Sequence, residues 1–207
     1  MQQLVKHLLA NNLDEILSKS LLHCHCKGLH SIMLSESLEK TIRLYICVPE
    51  NEMHKNFPEN FGNNDMTIAF HPHHCNLTLH CIKGRFLNWE VKEVSAGIVT
   101  TKYKYHSKIK EGDLSFEKLD TAYLETTMYR WLYEGNAVQM KANEIHTVAC
   151  EYGKLSAWLV YEGKEDDKYN SLCWSNTNVN SQNFNGLYVK PTHNEVLELL
   201  TMVGLLE

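Results

Sequence analysis

The chain has 207 residues, 43% of them hydrophobic and 22% charged, with a formal net charge of -5. This length suits one well-buried domain and is short for two. The acidic balance disfavours nucleic acid as a partner, since phosphate recognition needs a basic face, and no apolar run approaches the ~20 residues that span a bilayer.

In chain order, Gln2 to Leu22 carries Leu4, Leu8, Leu13, Ile16, Leu17 and Leu21 at three- and four-residue spacing, which predicts helix. Asn11-Asn12 is expected to divide it into two short helices. Met1 to Ala10 lacks the apolar core and small-residue cleavage site of a secretory signal. The seven cysteines have no regular framework and read as reduced thiols, so a cytoplasmic protein is expected. His23-Cys24-His25-Cys26 invites a metal reading, but consecutive donors on regular backbone cannot converge on one ion, and the segment is set aside.

From Leu29 the character changes to β. Strands are predicted at 31–34, 41–48, 66–73, 77–82, 85–94, 98–109, 122–133, 146–151 and 155–162, with Pro49 and several glycines punctuating them. Lys102, Lys104 and His106 share one strand face and Thr101, Tyr103 and Tyr105 the other, so the lysines read as a solvated face. Gly163 to Asn170 and Asn176 to Asn185 read as polar loops, and Thr192 with Glu195 three residues later marks a capped final helix. Many short strands between turn residues predict a mainly β sandwich or barrel. The expected organisation is a single domain: helical lead-in over 1–28, barrel core over about 29–165, polar excursion and helix over 166–207.

His71-Pro72-His73 carries the chemistry. Residues two apart on a strand share a face. A third imidazole from another strand, His146, would close a facial three-nitrogen set around a divalent metal. The competing reading is polar filler at a strand end, with each ring bonded to a backbone carbonyl. His74 and His80 fall out of phase with the pair.

These positions resemble the cupin superfamily, whose first motif has a His-x-His pair, a Glu four residues on and a Gly seven further. Here they are His71, His73, Leu77 and Gly84. Its second motif places Gly, Pro, Gly, His and Asn where this chain has Gly135, Lys141, Asn143, His146 and Cys150. The resemblance spans Asp65 to Glu162, and Asp65 stands where the family has a glycine.

What the resemblance implies is a cupin-like double-stranded β-helix (jelly-roll) barrel with helical ends and a metal held by His71, His73 and His146. Leu77 replaces the usual carboxylate ligand, so either a neutral three-histidine site remains, as in thiol dioxygenases, or metal binding is lost. The first implies Fe(II), with Zn, Ni or Mn as other occupants, because imidazole does not select among them strongly. The implied activity is a non-haem iron dioxygenase acting on a small organic molecule, a thiol by resemblance. A metal-dependent isomerase, lyase or hydrolase and a non-catalytic ligand-binding cupin are the alternatives. Family habit adds a homodimer through sheet edges. For substrate contacts the residues offer Arg85 and Arg130 as carboxylate forks, Cys150 four residues beyond His146, and Tyr161 as a hydroxyl donor. Arg130 and Glu90 face the pocket or solvent with equal ease by alternation alone.

Overall fold

The computed structural model describes residues 2–37, 40–61, 70–108, 113–165, 171–176, 178–179 and 185–206. Helix α1 (Gln2–Lys19) leads into β1 (Leu29–Glu36) and β2 (Thr41–Cys47), and two 3-10 turns follow at Met53–Asn56 and Pro58–Asn60. Then come β3 (Cys75–Lys83), β4 (Arg85–Val94), β5 (Ile98–Lys108), β6 (Asp113–Tyr133), β7 (Ala137–Met140), β8 (Ile145–Ala149), β9 (Ser156–Glu165), β10 (Leu172–Ser175) and α2 (His193–Met202). The strands make two five-stranded antiparallel sheets, ordered β1-β2-β9-β3-β7 and β10-β5-β6-β4-β8. This is the mainly β, jelly-roll-like barrel that the sequence predicted.

Period-two alternation sorts the first sheet into two cores. Leu44, Ile46, Ala157 and Leu159 face Ile16 of α1 and Val196, Leu199 and Leu200 of α2. Tyr45, Cys47, Trp158 and Val160 face the interior, against Leu77, Leu79, Phe86 and Leu132. β1 is buried over six consecutive residues, as a strand covered on both faces must be.

Both helices follow their local sequence. Asn12 leaves the helical region at φ -137°, so the break falls inside a single element. α2 begins with a capping box: Thr192 Oγ1 accepts from Glu195 N at 3.3 Å, and Glu195 Oε2 accepts from Thr192 N at 2.7 Å. Among the described residues no helix is long and apolar enough to cross a membrane.

Three expectations need correction. β6 starts at Asp113, well before residue 122, because its first half is held by the ladder to β5 rather than by burial; Glu117, Lys118 and Asp120 are exposed. The short β7 was not anticipated, since four residues carry too little pattern. Leu172–Ser175 is a strand of the second sheet inside the stretch read as a polar excursion. The strand expected over 66–73 falls partly outside the described residues; its visible part is Phe70 and His71.

That fragment closes the second sheet. Phe70 exchanges both backbone hydrogen bonds with Trp174 of β10 (3.0 and 2.8 Å), and His71 exchanges both with His146 of β8 (3.0 and 3.2 Å). β8 and β10 are the two edges of that sheet, so two residues link them.

Gly84 joins β3 to β4 at φ +64°, and a Cβ there would stand 2.3 Å from the Leu155 carbonyl oxygen. Neither the left-handed backbone nor the space admits a side chain. Gly84→Ala is expected to lower the unfolding free energy by ~2–3 kcal/mol, read as a lower urea midpoint at unchanged slope.

Candidate metal centre

The link between the sheet edges also builds the site. Residues opposite one another in an antiparallel pair project to the same side. The His71–His146 pair therefore sets two imidazoles side by side, and His73 follows two residues on. The His73 carbonyl is tied to Asn143 N at 3.0 Å. Asn143 sits at φ +67°, in the left-handed conformation that the expected turn glycine would have taken.

The three rings converge. Their ligand-capable nitrogens all lie within 4.8 Å of one another. Ring centroids are 4.9 Å apart for His71 and His73, 5.0 Å for His73 and His146, and 5.6 Å for His71 and His146. His73 Nε2 and His146 Nε2 stand 2.9 Å apart. Two nitrogens each ~2.1 Å from one ion and ~90° apart would be separated by about 3 Å, so this pair fits a shared cation.

Their protonation also fits. Burial pushes all three imidazoles well below the ordinary histidine range, and neighbouring rings push the same way: His73 and His25 for His71, His146 and His25 for His73, and His71 and His25 for His146. Neutral rings are what a metal needs. His146 Nδ1 donates to Asn88 Oδ1 at 2.8 Å, and Asn88 Nδ2 donates to Glu90 Oε1 at 2.7 Å. This chain fixes the tautomer, leaving a lone pair on His146 Nε2. His71 Nδ1 is buried without a hydrogen-bond partner among the described residues. Such an orphan costs about 1–3 kcal/mol unless something binds it.

The rings open on a cavity of about 60 Å³, room for about two waters. Leu29, Met53, Leu77, Leu79, Val148, Trp158 and Val160 give it apolar walls. Its polar lining besides the three histidines is His25, Tyr45, Asn56, Thr147 and Glu162. Asn56 donates to the Val148 carbonyl at 3.0 Å, but its Oδ1 is buried and unpaired among the described residues. Leu77 lines this cavity, so the position where a carboxylate ligand was in question holds an apolar wall.

The other sequence candidates lie elsewhere. Arg85 is bound to Glu151 at 2.5 Å and stacks on Trp131 with its guanidinium carbon 4.6 Å from the ring centre. Arg130 is exposed, which decides the alternation in favour of solvent. Cys150 is buried in the core with Cys26 and Cys47, and Tyr161 is 38% exposed and lines an outer groove instead. None of these four lines the histidine cavity. Glu90 is half-buried, accepts from Asn88 Nδ2 and does not line the cavity.

Sequence reasoning passed over Asn88, Asn56 and His25. Asn88 had a local signal, an amide inside the apolar run Phe86-Leu87-Asn88-Trp89. His25 was excluded on the assumption of regular backbone. In fact His23 and His25 adopt φ of +54° and +64°, which lets neighbouring side chains diverge.

No family model matches this sequence, and no curated protein matches it. Solved structures do resemble it. Hydroxypropylphosphonic acid epoxidase from S. wedmorenis is 11% identical with a TM-score of 0.38, over 70% of this chain and 56% of its own. A cupin superfamily protein from Desulfitobacterium hafniense DCB-2 is 10% identical with a TM-score of 0.34, over 66% of this chain and 78% of its own. An RmlC-like cupin family protein with a double-stranded β-helix fold from Methanocaldococcus jannaschii is 11% identical with a TM-score of 0.34, over 65% and 81%. The chain thus spans little more than half the length of the epoxidase, and the chemistry of the site follows from its own side chains.

Two outcomes are expected. Asn88→Leu removes the acceptor that orients His146 and should weaken divalent-metal affinity about 10- to 100-fold, measured by competition with a chromophoric chelator. Stability of the metal-free protein should also fall as pH drops. Burial lowers His25 and His30 to about 4. An unfolded histidine near 6.5 takes up protons first, so stability is full above that value and declines toward 4. Each ring contributes on the order of 1–2 kcal/mol of loss by pH 5, visible as a falling urea midpoint between pH 7.5 and pH 5.

Proposed function

We propose that the protein is a mononuclear metal enzyme of the cupin type, with His71, His73 and His146 as ligands, that adds oxygen from dioxygen to a small organic molecule. The observation that carries this reading is the convergence of three neutral imidazoles, with ligand atoms within 4.8 Å of one another, beside a leucine. A neutral facial set leaves the charge of a divalent ion uncompensated and its remaining positions open. Bound there, iron(II) would supply the redox chemistry that dioxygen needs and coordination sites open to a thiol-sized substrate.

The chain's own residues would do the rest. Leu77, Leu79, Val148, Trp158 and Val160 exclude water from the reacting molecule. Asn56 Oδ1 and the Glu162 carboxylate offer acceptors at the cavity wall, and no lysine or arginine lines it among the described residues. Burial raises the Glu162 pKa while Arg43, 3.6 Å away, opposes the rise. Such a wall favours a neutral or amine-bearing substrate over a carboxylate. The substrate class proposed is a small thiol carrying a hydrogen-bond donor.

The test is elemental analysis of protein purified without added metal, coupled to oxygen uptake with small thiols. About one iron per chain and thiol-dependent oxygen consumption are expected. Stoichiometric zinc or nickel would move the reading to hydrolase, isomerase or lyase chemistry, and metal-free protein to a binding function. His73→Ala should lose the metal while keeping its far-ultraviolet circular dichroism; unchanged metal content in that variant sinks the site.

A further inference from the structure

Beside the three converging histidines stands a fourth, delivered by the segment between α1 and β1. His25 lines the same cavity, and its ring centroid is 5.0 Å from that of His71, as near as His73 is to His146. It is nevertheless outside the set whose nitrogens all lie within 4.8 Å of one another. His25 is therefore in contact with the ligand cluster without completing it.

Its orientation is fixed from the far end of the chain. The hydroxyl of Tyr188 lies 3.1 Å from His25 Nδ1, and the two rings meet edge-on at 5.9 Å. Tyr188 is held in turn by backbone: its N donates to the His23 carbonyl, and Leu22 and Val189 form a bridge pair. His23 Nδ1 accepts from Gly28 N at 3.0 Å, closing the loop that carries His25. His23, His25 and Tyr188 all have left-handed φ, at +54°, +64° and +56°. Three of the four non-glycine residues with positive φ among the described residues thus lie in these two contacting segments, and strain of that kind persists only where the surroundings over-determine it. The hydrogen bond at Nδ1 leaves Nε2 as the ring's second polar atom.

We propose that His25, positioned by Tyr188, holds a small molecule bound at the open side of the three-histidine centre through a hydrogen bond from its Nε2, acting as a positioning residue and not as a fourth ligand. This inference rests on the metal reading above and adds a role for the amino-terminal strap. With a cavity of about 60 Å³, the molecule held this way is of two to four heavy atoms, or the reactive end of a larger one.

The test uses the intact chain loaded with cobalt(II) and titrated with azide, whose binding is followed in the visible spectrum. His25→Ala should retain about one cobalt per chain and bind azide about 10-fold more weakly, the loss expected for one hydrogen bond to a charged acceptor. His25→Gln, which keeps a side-chain donor, should recover part of that affinity, a rescue that a purely structural role would not give. Tyr188→Phe should show a smaller loss, about 3-fold, because the ring stays but its orientation loosens. Azide affinity unchanged in His25→Ala overturns the proposal, and so does loss of cobalt from that variant, since it would make His25 a ligand. Failure of the unmodified chain to bind cobalt overturns the metal reading itself, a different result from full cobalt uptake with unaltered azide binding.

Discussion

The two-residue ladder between His71 and His146 is the constraint on which the rest of the site depends. Those paired backbone bonds, with the Phe70–Trp174 pair beside them, tie opposite edges of the second sheet together. Each such bond contributes only about 1 kcal/mol net, so the ladder does not hold the barrel by itself. Aromatic packing supports it: Phe70 meets Trp89 edge-on at 4.8 Å, and Phe61 contacts both at 5.4 and 5.6 Å. The same register that closes the sheet aligns the imidazoles. Closure and site geometry are one feature.

Around that ladder the protein keeps its histidines neutral by burying them, and it directs them with uncharged partners. The Asn88 amide stands between His146 and the Glu90 carboxylate, bonded to both. No acid among the described residues joins the three-histidine cluster. A centre built this way contrasts with sites that balance an ion's charge with a carboxylate ligand, and its apolar wall of leucine, valine and tryptophan strengthens whatever polar contacts remain. The cost is a loss of stability at acid pH, because buried neutral histidines release proton affinity that the unfolded chain regains.

The ends of the chain serve two purposes. α1 and α2 cover the outer face of the first sheet, where Ile16 and Val196 share a core with Leu44 and Leu159. Between them, the segments carrying His25 and Tyr188 meet through one side-chain hydrogen bond, and His25 adds a polar group to the cavity lining. Fold stability and pocket chemistry therefore draw on the same terminal segments.

By itself the sequence determined the β class, the break at Asn12, the capping box of α2, and the spacing that sets His71, His73 and His146 in reach of one another. These are local properties: alternation, turn residues and caps act over a few positions, and a two-residue period fixes which side chains share a face. Asn143 was legible for the same reason, as a residue tolerant of left-handed backbone. Only the tertiary structure decided which residues surround the histidines. Arg85 turned to Glu151, and Arg130, which alternation had left open, turned to solvent. Asn56 and Glu162 reached the cavity from distant elements, and His25 did so through irregular backbone that no periodic pattern describes. Contacts between residues more than a hundred positions apart, such as His25 with Tyr188, depend on the closed shape of the barrel, and that shape is written in no single stretch of chain.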